Sequence, residues 1–145
     1  MNLSNSFDRM EATVVGFGVN TLLVSAAKDQ TPLAHKLQAL GCRLESCDEI
    51  YFALDRILDG PQDFELIVID CDSLGGLAHS RRLHALLRAA GRCIQVILVS
   101  RECDAQHFPF NRFDPTELRA PLSAISLRVG FEHAMQERLL MARAS

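Results

Sequence analysis

The chain has 145 residues, enough for one domain with its own core and without a need for disulfides or a structural metal. With 48% hydrophobic and 23% charged residues the sequence is globular rather than disordered, and a net charge of −3 argues against direct nucleic-acid binding, which draws on a basic excess. No apolar run reaches the roughly 18 residues needed to span a bilayer. Residues 1–11 lack the apolar centre of an export signal. A cytoplasmic setting is therefore expected, with Cys42, Cys47, Cys71, Cys93 and Cys103 as reduced thiols.

Residues 1–11 read as a flexible arm and 12–145 as one domain with an extended C-terminal helix. ATVVGFGV (12–19) is apolar and punctuated by glycine: either an extra edge strand or a cover for the core. TLLVSA (21–26) is a short run of strand type. Thr31 followed by Pro32 marks a helix start, with Leu33, Leu37 and Leu40 on one face and a stop at Gly41. CRLESC (42–47) is a second, more polar strand. Asp48 is placed to cap a helix bearing Ile50, Leu54, Ile57 and Leu58, which ends at Gly60-Pro61. FELIVID (64–70) contains an unbroken apolar stretch, 66–69, that suits a strand buried on both faces. Gly75-Gly76 opens a helix with Leu77, Leu83, Leu86 and Leu87, closing at Gly91. CIQVILVS (93–100) is another central strand. Residues 101–115, with Pro109 and Pro115, have no helical period. TELRA (116–120) is a weak last strand, and 122–143 a long last helix. Strands alternating with helices predict parallel βαβ units and right-handed crossovers, hence a doubly wound five-stranded sheet of order 2-1-3-4-5 with helices on both faces.

In such sheets function collects at the C-terminal strand ends, here Ser25-Ala26, Asp70, Ser100 and Ala120-Pro121. Across 21–143 this set resembles the receiver domains of two-component response regulators, in a degenerate, pseudo-receiver form, and the resemblance implies a flavodoxin-like fold. In that family an acidic pair after the first strand holds Mg²⁺, and an Asp after the third is the phosphoacceptor. A hydroxyl after the fourth and a Lys-Pro after the fifth bind the phosphoryl group. Asp70 matches the phosphoacceptor and Ser100 the switch hydroxyl. Ser25 and Ala26 stand where the acidic pair belongs, and Ala120 stands for the lysine, although Pro121 remains. Asp29 is too far into the loop to substitute. The loop CDSLGG (71–76) lacks the family's Met-Pro and Asp-Gly, and the stretch between Ser100 and Pro121 is short for a regular fourth helix. The resemblance implies a signalling domain that acts by protein–protein contact, independent of phosphorylation, with no metal, no cofactor, no membrane association and no enzymatic activity. The alternatives are a true phosphoacceptor in a phosphorelay, using Asp70, and a small flavodoxin-like ligand-binding module or enzyme.

The remaining chemistry-bearing residues have plainer readings. Cys71 has no cation nearby in sequence and reads as a small buried hydrophobe. Arg81, His84, Arg88 and Arg92 share one face of the third helix and read as its solvated side. His35, His79, His107 and His133 lack metal-ligand spacing. Gly16-Phe17-Gly18 fails as a dinucleotide loop because Thr21 replaces the last glycine. The last helix carries two apolar stripes: Leu122, Ile125, Val129 and Leu127, Phe131, Met135. One covers the sheet. The other, assigned here as Leu127, Phe131 and Met135, is expected to bury itself in a two-fold homodimer.

Overall fold

Near-continuous burial of three short strands, Asn20–Val24, Leu66–Asp70 and Gln95–Ser100, sets the architecture. The computed structural model describes residues 18–60, 63–89, 94–110 and 113–144, with side chains as far as Gln136. The expected arm, all of 12–17, Gly91 and Arg92 lie outside the described residues. The elements in chain order are β1 (Asn20–Val24), α1 (Thr31–Ala39), β2 (Arg43–Cys47), α2 (Ile50–Asp59), β3 (Leu66–Asp70), a single 3₁₀ turn (Cys71–Ser73), α3 (Leu77–Ala89), β4 (Gln95–Ser100), β5 (Thr116–Arg119) and α4 (Ala124–Ala144). The sheet is wholly parallel, in the order β2-β1-β3-β4-β5. It is the flavodoxin-like arrangement expected from the sequence.

The unbroken apolar strands have two jobs. Leu22, Val24, Ile67, Ile69 and Leu98 face α2 and α3, where they meet Ala53, Ile57, Leu77 and Leu87. The alternate residues, Leu23, Leu66, Val68, Ile97, Val99 and Leu118, face α1 and α4, where they meet Leu37, Leu127, Phe131 and Ala134. A strand with both faces covered cannot spare a polar position, which is why β3 and β4 read as continuous hydrophobic runs.

Two helix starts differ by one residue from expectation. The cap of α1 is Gln30, whose side chain makes no capping bond, while Asp29 Oδ1 accepts from Thr31 N at 3.0 Å. For α2 the cap is Glu49 rather than Asp48: its carboxylate accepts from Tyr51 N at 2.9 Å and Phe52 N at 3.1 Å. Leu58 and Leu86, expected on packed faces, are exposed.

The pairing stripe assigned to the last helix is corrected by the structure. Leu127 and Phe131 are fully buried in the sheet-facing core, and Met135 packs against the same cluster. Ile125, 77% exposed, and Val129, 45% exposed, point outward instead. Gly130 explains the choice. A Cβ there would lie 2.9 Å from Leu118 Cδ1, so only glycine lets this side of α4 approach β5 so closely.

As expected, no helix forms among the described residues between β4 and β5. The described part of 101–115 instead runs as a strap along the sheet edge, where His107 and Glu117 exchange antiparallel backbone hydrogen bonds of 2.8 and 3.0 Å. That covers a strand edge which would otherwise offer unpaired groups to another chain. The basic side of α3 grips the same region and is not simply a solvated face. Arg81 donates twice to the Glu117 carboxylate, both at 2.7 Å, and the Arg88 guanidinium lies 5.0 Å over the Phe113 ring. Burial beneath this segment lowers the pKa of His84. From the other side, His133 Nε2 of α4 lies 2.9 Å from Pro109 O.

Candidate functional site

Parallel strands deliver their C-terminal ends to one rim, and the crossover loops close round it. At this rim lies an open cleft of about 850 Å³, lined by Asp70, Asp72, Ser73, Arg101, Glu102 and Ala120 among others. Register explains the juxtaposition: Asp70 pairs with Val99 across β3–β4, and Ser100 with Arg119 across β4–β5. The positions singled out from the sequence, Ser25, Ala26, Asp70, Ser100, Ala120 and Pro121, all fall at these strand ends or in the loops that leave them.

The polar groups are engaged with one another. Ser25, buried at the end of β1, donates its hydroxyl to Asp70 Oδ2 at 2.7 Å. The Ser25 carbonyl accepts from the Gln30 side-chain amide. Ala26 N donates to Ser73 Oγ at 2.9 Å, and that hydroxyl donates to the Asp70 carbonyl, also at 2.9 Å. Ser100 has no exposed surface, and its hydroxyl donates to Asp72 Oδ1 at 2.6 Å. The second oxygen of Asp72 accepts from Arg101 N at 2.8 Å. Ser100 Oγ in turn accepts from Glu102 N at 3.0 Å, and Glu102 Oε2 accepts from Leu77 N at 3.2 Å, the first amide of α3. The Ala120 amide donates to the Ser100 carbonyl at 3.0 Å, and Ala120 contributes no charge to the cleft.

Asp70 and Ser100 thus reach the same rim, where the Ser25 hydroxyl serves the Asp70 carboxylate and the Ser100 hydroxyl serves that of Asp72. The sequence reading missed Asp72, Ser73 and Glu102. Asp72 lies in the loop after β3, and the 3₁₀ turn Cys71–Ser73 that aims it has no clear local signal.

A magnesium site does not fit this donor set. One Asp70 oxygen already accepts from Ser25, Asp72 is turned to Ser100 and Arg101, and Ser25 and Ala26 supply no carboxylate. Among the described residues no group of three or more His, Cys, Asp or Glu is placed to hold a metal ion. Cys71, beside Asp70, is fully buried, and burial pushes its thiol pKa up to about 12. A thiol in that condition is a core group rather than a nucleophile at neutral pH.

The fold defines the class: it is the receiver-domain fold. The structure is similar to a response regulator receiver domain protein from Clostridium thermocellum, with a TM-score of 0.67 and 13% identity over 85% of this chain and 98% of that one. It is similar to the beryllofluoride-activated NtrC4 receiver domain dimer, with a TM-score of 0.63 and 16% identity over 81% and 97%. It is also similar to the signal receiver domain of an HD domain-containing protein from Pseudomonas fluorescens, with a TM-score of 0.59 and 19% identity over 83% and 92%. No protein-family profile and no curated protein matches the sequence. Among the described residues no helix is long and apolar enough to cross a membrane.

Proposed function

We propose that this chain is a pseudo-receiver: a cytoplasmic response-regulator-like signalling domain that works by protein–protein contact and does not depend on phosphorylation. The observation that carries the reading is the 2.7 Å hydrogen bond from Ser25 to Asp70. A neutral hydroxyl sits where a metal-holding carboxylate belongs, and it is spent on the would-be nucleophile. Metal and cationic groups supply most of the stabilisation in phosphoryl transfer. Here a phosphoryl group would join Asp70, Asp72 and Glu102, against Arg101 as the one cation among the described residues lining the cleft. Its partners are other proteins, including a second copy of the chain paired through the outward stripe Ile125 and Val129, while direct nucleic-acid binding is not part of the role.

The phosphoacceptor reading has one observation in its favour: Asp70 is partly exposed and opens on the cleft. Magnesium separates the two, because a receiver that accepts phosphate must bind the ion through carboxylates and water. An amide-resolved NMR titration with millimolar Mg²⁺ is expected to leave the signals around Asp70 unmoved. Local, saturable shifts there would favour the phosphoacceptor.

A further inference from the structure

The hydrogen bonds around Asp72 form a closed arrangement between two loops. Asp72, from the loop after β3, takes two donors from the end of β4: the Ser100 hydroxyl at 2.6 Å and the Arg101 amide at 2.8 Å. Glu102, from the segment after β4, reaches back to take Leu77 N at 3.2 Å. Each loop lends the other a carboxylate. Gly76 permits the return contact, since a Cβ there would stand 3.1 Å from Glu102 Oε1, and its φ of +95° suits glycine.

A side-chain hydroxyl and an adjacent backbone N–H, converging on two oxygens of one anion, form a small oxyanion-binding unit. Ser100 is fully buried, so its proton needs an acceptor, and Asp72 provides it. We propose that Asp72 is a resident anion, occupying the Ser100–Arg101 donor pair so that the oxyanion subsite of the cleft is filled by the chain itself. The inference rests on the pseudo-receiver reading and deepens it. The switch hydroxyl is held engaged by a carboxylate encoded in the sequence, and no transferred phosphoryl group is required to engage it.

Removing the resident carboxylate should open the subsite to an external oxyanion, and inorganic phosphate is the probe. In the full chain, wild type should show no saturable response at the Arg101 and Glu102 amides in an NMR titration with phosphate. Asp72→Ala should show one, tighter than any wild-type response by at least about tenfold, as expected when a charge-assisted hydrogen bond becomes free to bind ligand. Asp72→Ala combined with Ser100→Ala should lose it. If Asp72→Ala does not fold, Asp72→Asn serves instead: it keeps the shape, removes the charge, and should gain a weaker response at the same amides. A folded Asp72 variant that responds to phosphate no better than wild type overturns the inference. So does a double variant that binds as well as the single. A phosphate adduct on wild-type Asp70 would refute the parent reading whatever the titration gives. Failure of the Asp72 variant to gain phosphate, with no such adduct, refutes the resident anion alone.

Discussion

Replacing Phe131 with alanine tests which side of α4 is core. Phe131 has no exposed surface and packs with Leu66, Leu118, Leu127 and the strand residues of the same face. Burying a side chain of this size is worth about 1.5–3 kcal/mol by transfer alone. The cavity left by truncation raises the cost of Phe→Ala to about 3–5 kcal/mol, because a sheet covered on both faces collapses poorly into a hole. Total stabilities are about 5–15 kcal/mol, so a loss of about 4 kcal/mol consumes much of the margin. With an m-value of about 2 kcal/mol per molar urea, the midpoint should fall by about 2 M at unchanged m. Urea unfolding followed by circular dichroism measures this directly. A shift under about 0.5 M would mean that Phe131 is not a core residue. That result would restore the pairing stripe Leu127, Phe131, Met135 suggested by the sequence.

The complementary substitutions lie on the outward stripe. Ile125→Glu and Val129→Glu should each change stability by no more than about 0.5 kcal/mol, and should convert a dimer to monomer in sedimentation analysis at micromolar protein. Dimer mass that survives both would move the interface elsewhere. Stability should also fall in alkali. Burial raises the pKa of Cys71 from 9.0 to about 12 and raises those of Cys42 and Cys103. A folded-state pKa above the unfolded one gives stability that is complete below the unfolded value and lost as pH climbs. The decline for Cys71 should therefore span pH 9.0 to about 12, with a limiting slope of about 1.4 kcal/mol per pH unit. Urea midpoints measured across that window check it, and Cys71→Ala should flatten the curve.

What could be read from the sequence depended on how directly local pattern encodes environment. The run Leu66–Ile69 announced a strand buried on both faces because both of its faces are apolar, and βα alternation then left few topologies. Asp70 and Ser100 were legible because strand ends of a parallel sheet share one rim. The two stripes of α4 were harder, because Leu122, Ile125, Val129 and Leu127, Phe131, Met135 are similarly apolar. The deciding signal was present but small: Gly130 sits beside Phe131, and a glycine inside a helix marks close approach to a neighbour. The basic face of α3 was visible as a face, but periodicity does not say what a face meets. It meets Glu117 of β5 and Phe113 and Asp114 of the segment that leads into it. Asp72 was hidden for a similar reason: its role depends on the direction imposed by a single 3₁₀ turn and on the close approach of the β4 end, neither of which leaves a periodic trace.

The claim that this domain works without phosphorylation is tested most directly by intact-mass measurement after incubation with acetyl phosphate and Mg²⁺. The mass of the wild-type chain should be unchanged, in line with a Ser25 hydroxyl that engages one Asp70 oxygen and supplies no carboxylate for a metal. A phosphate adduct that disappears in Asp70→Asn would contradict the account and identify Asp70 as a working phosphoacceptor.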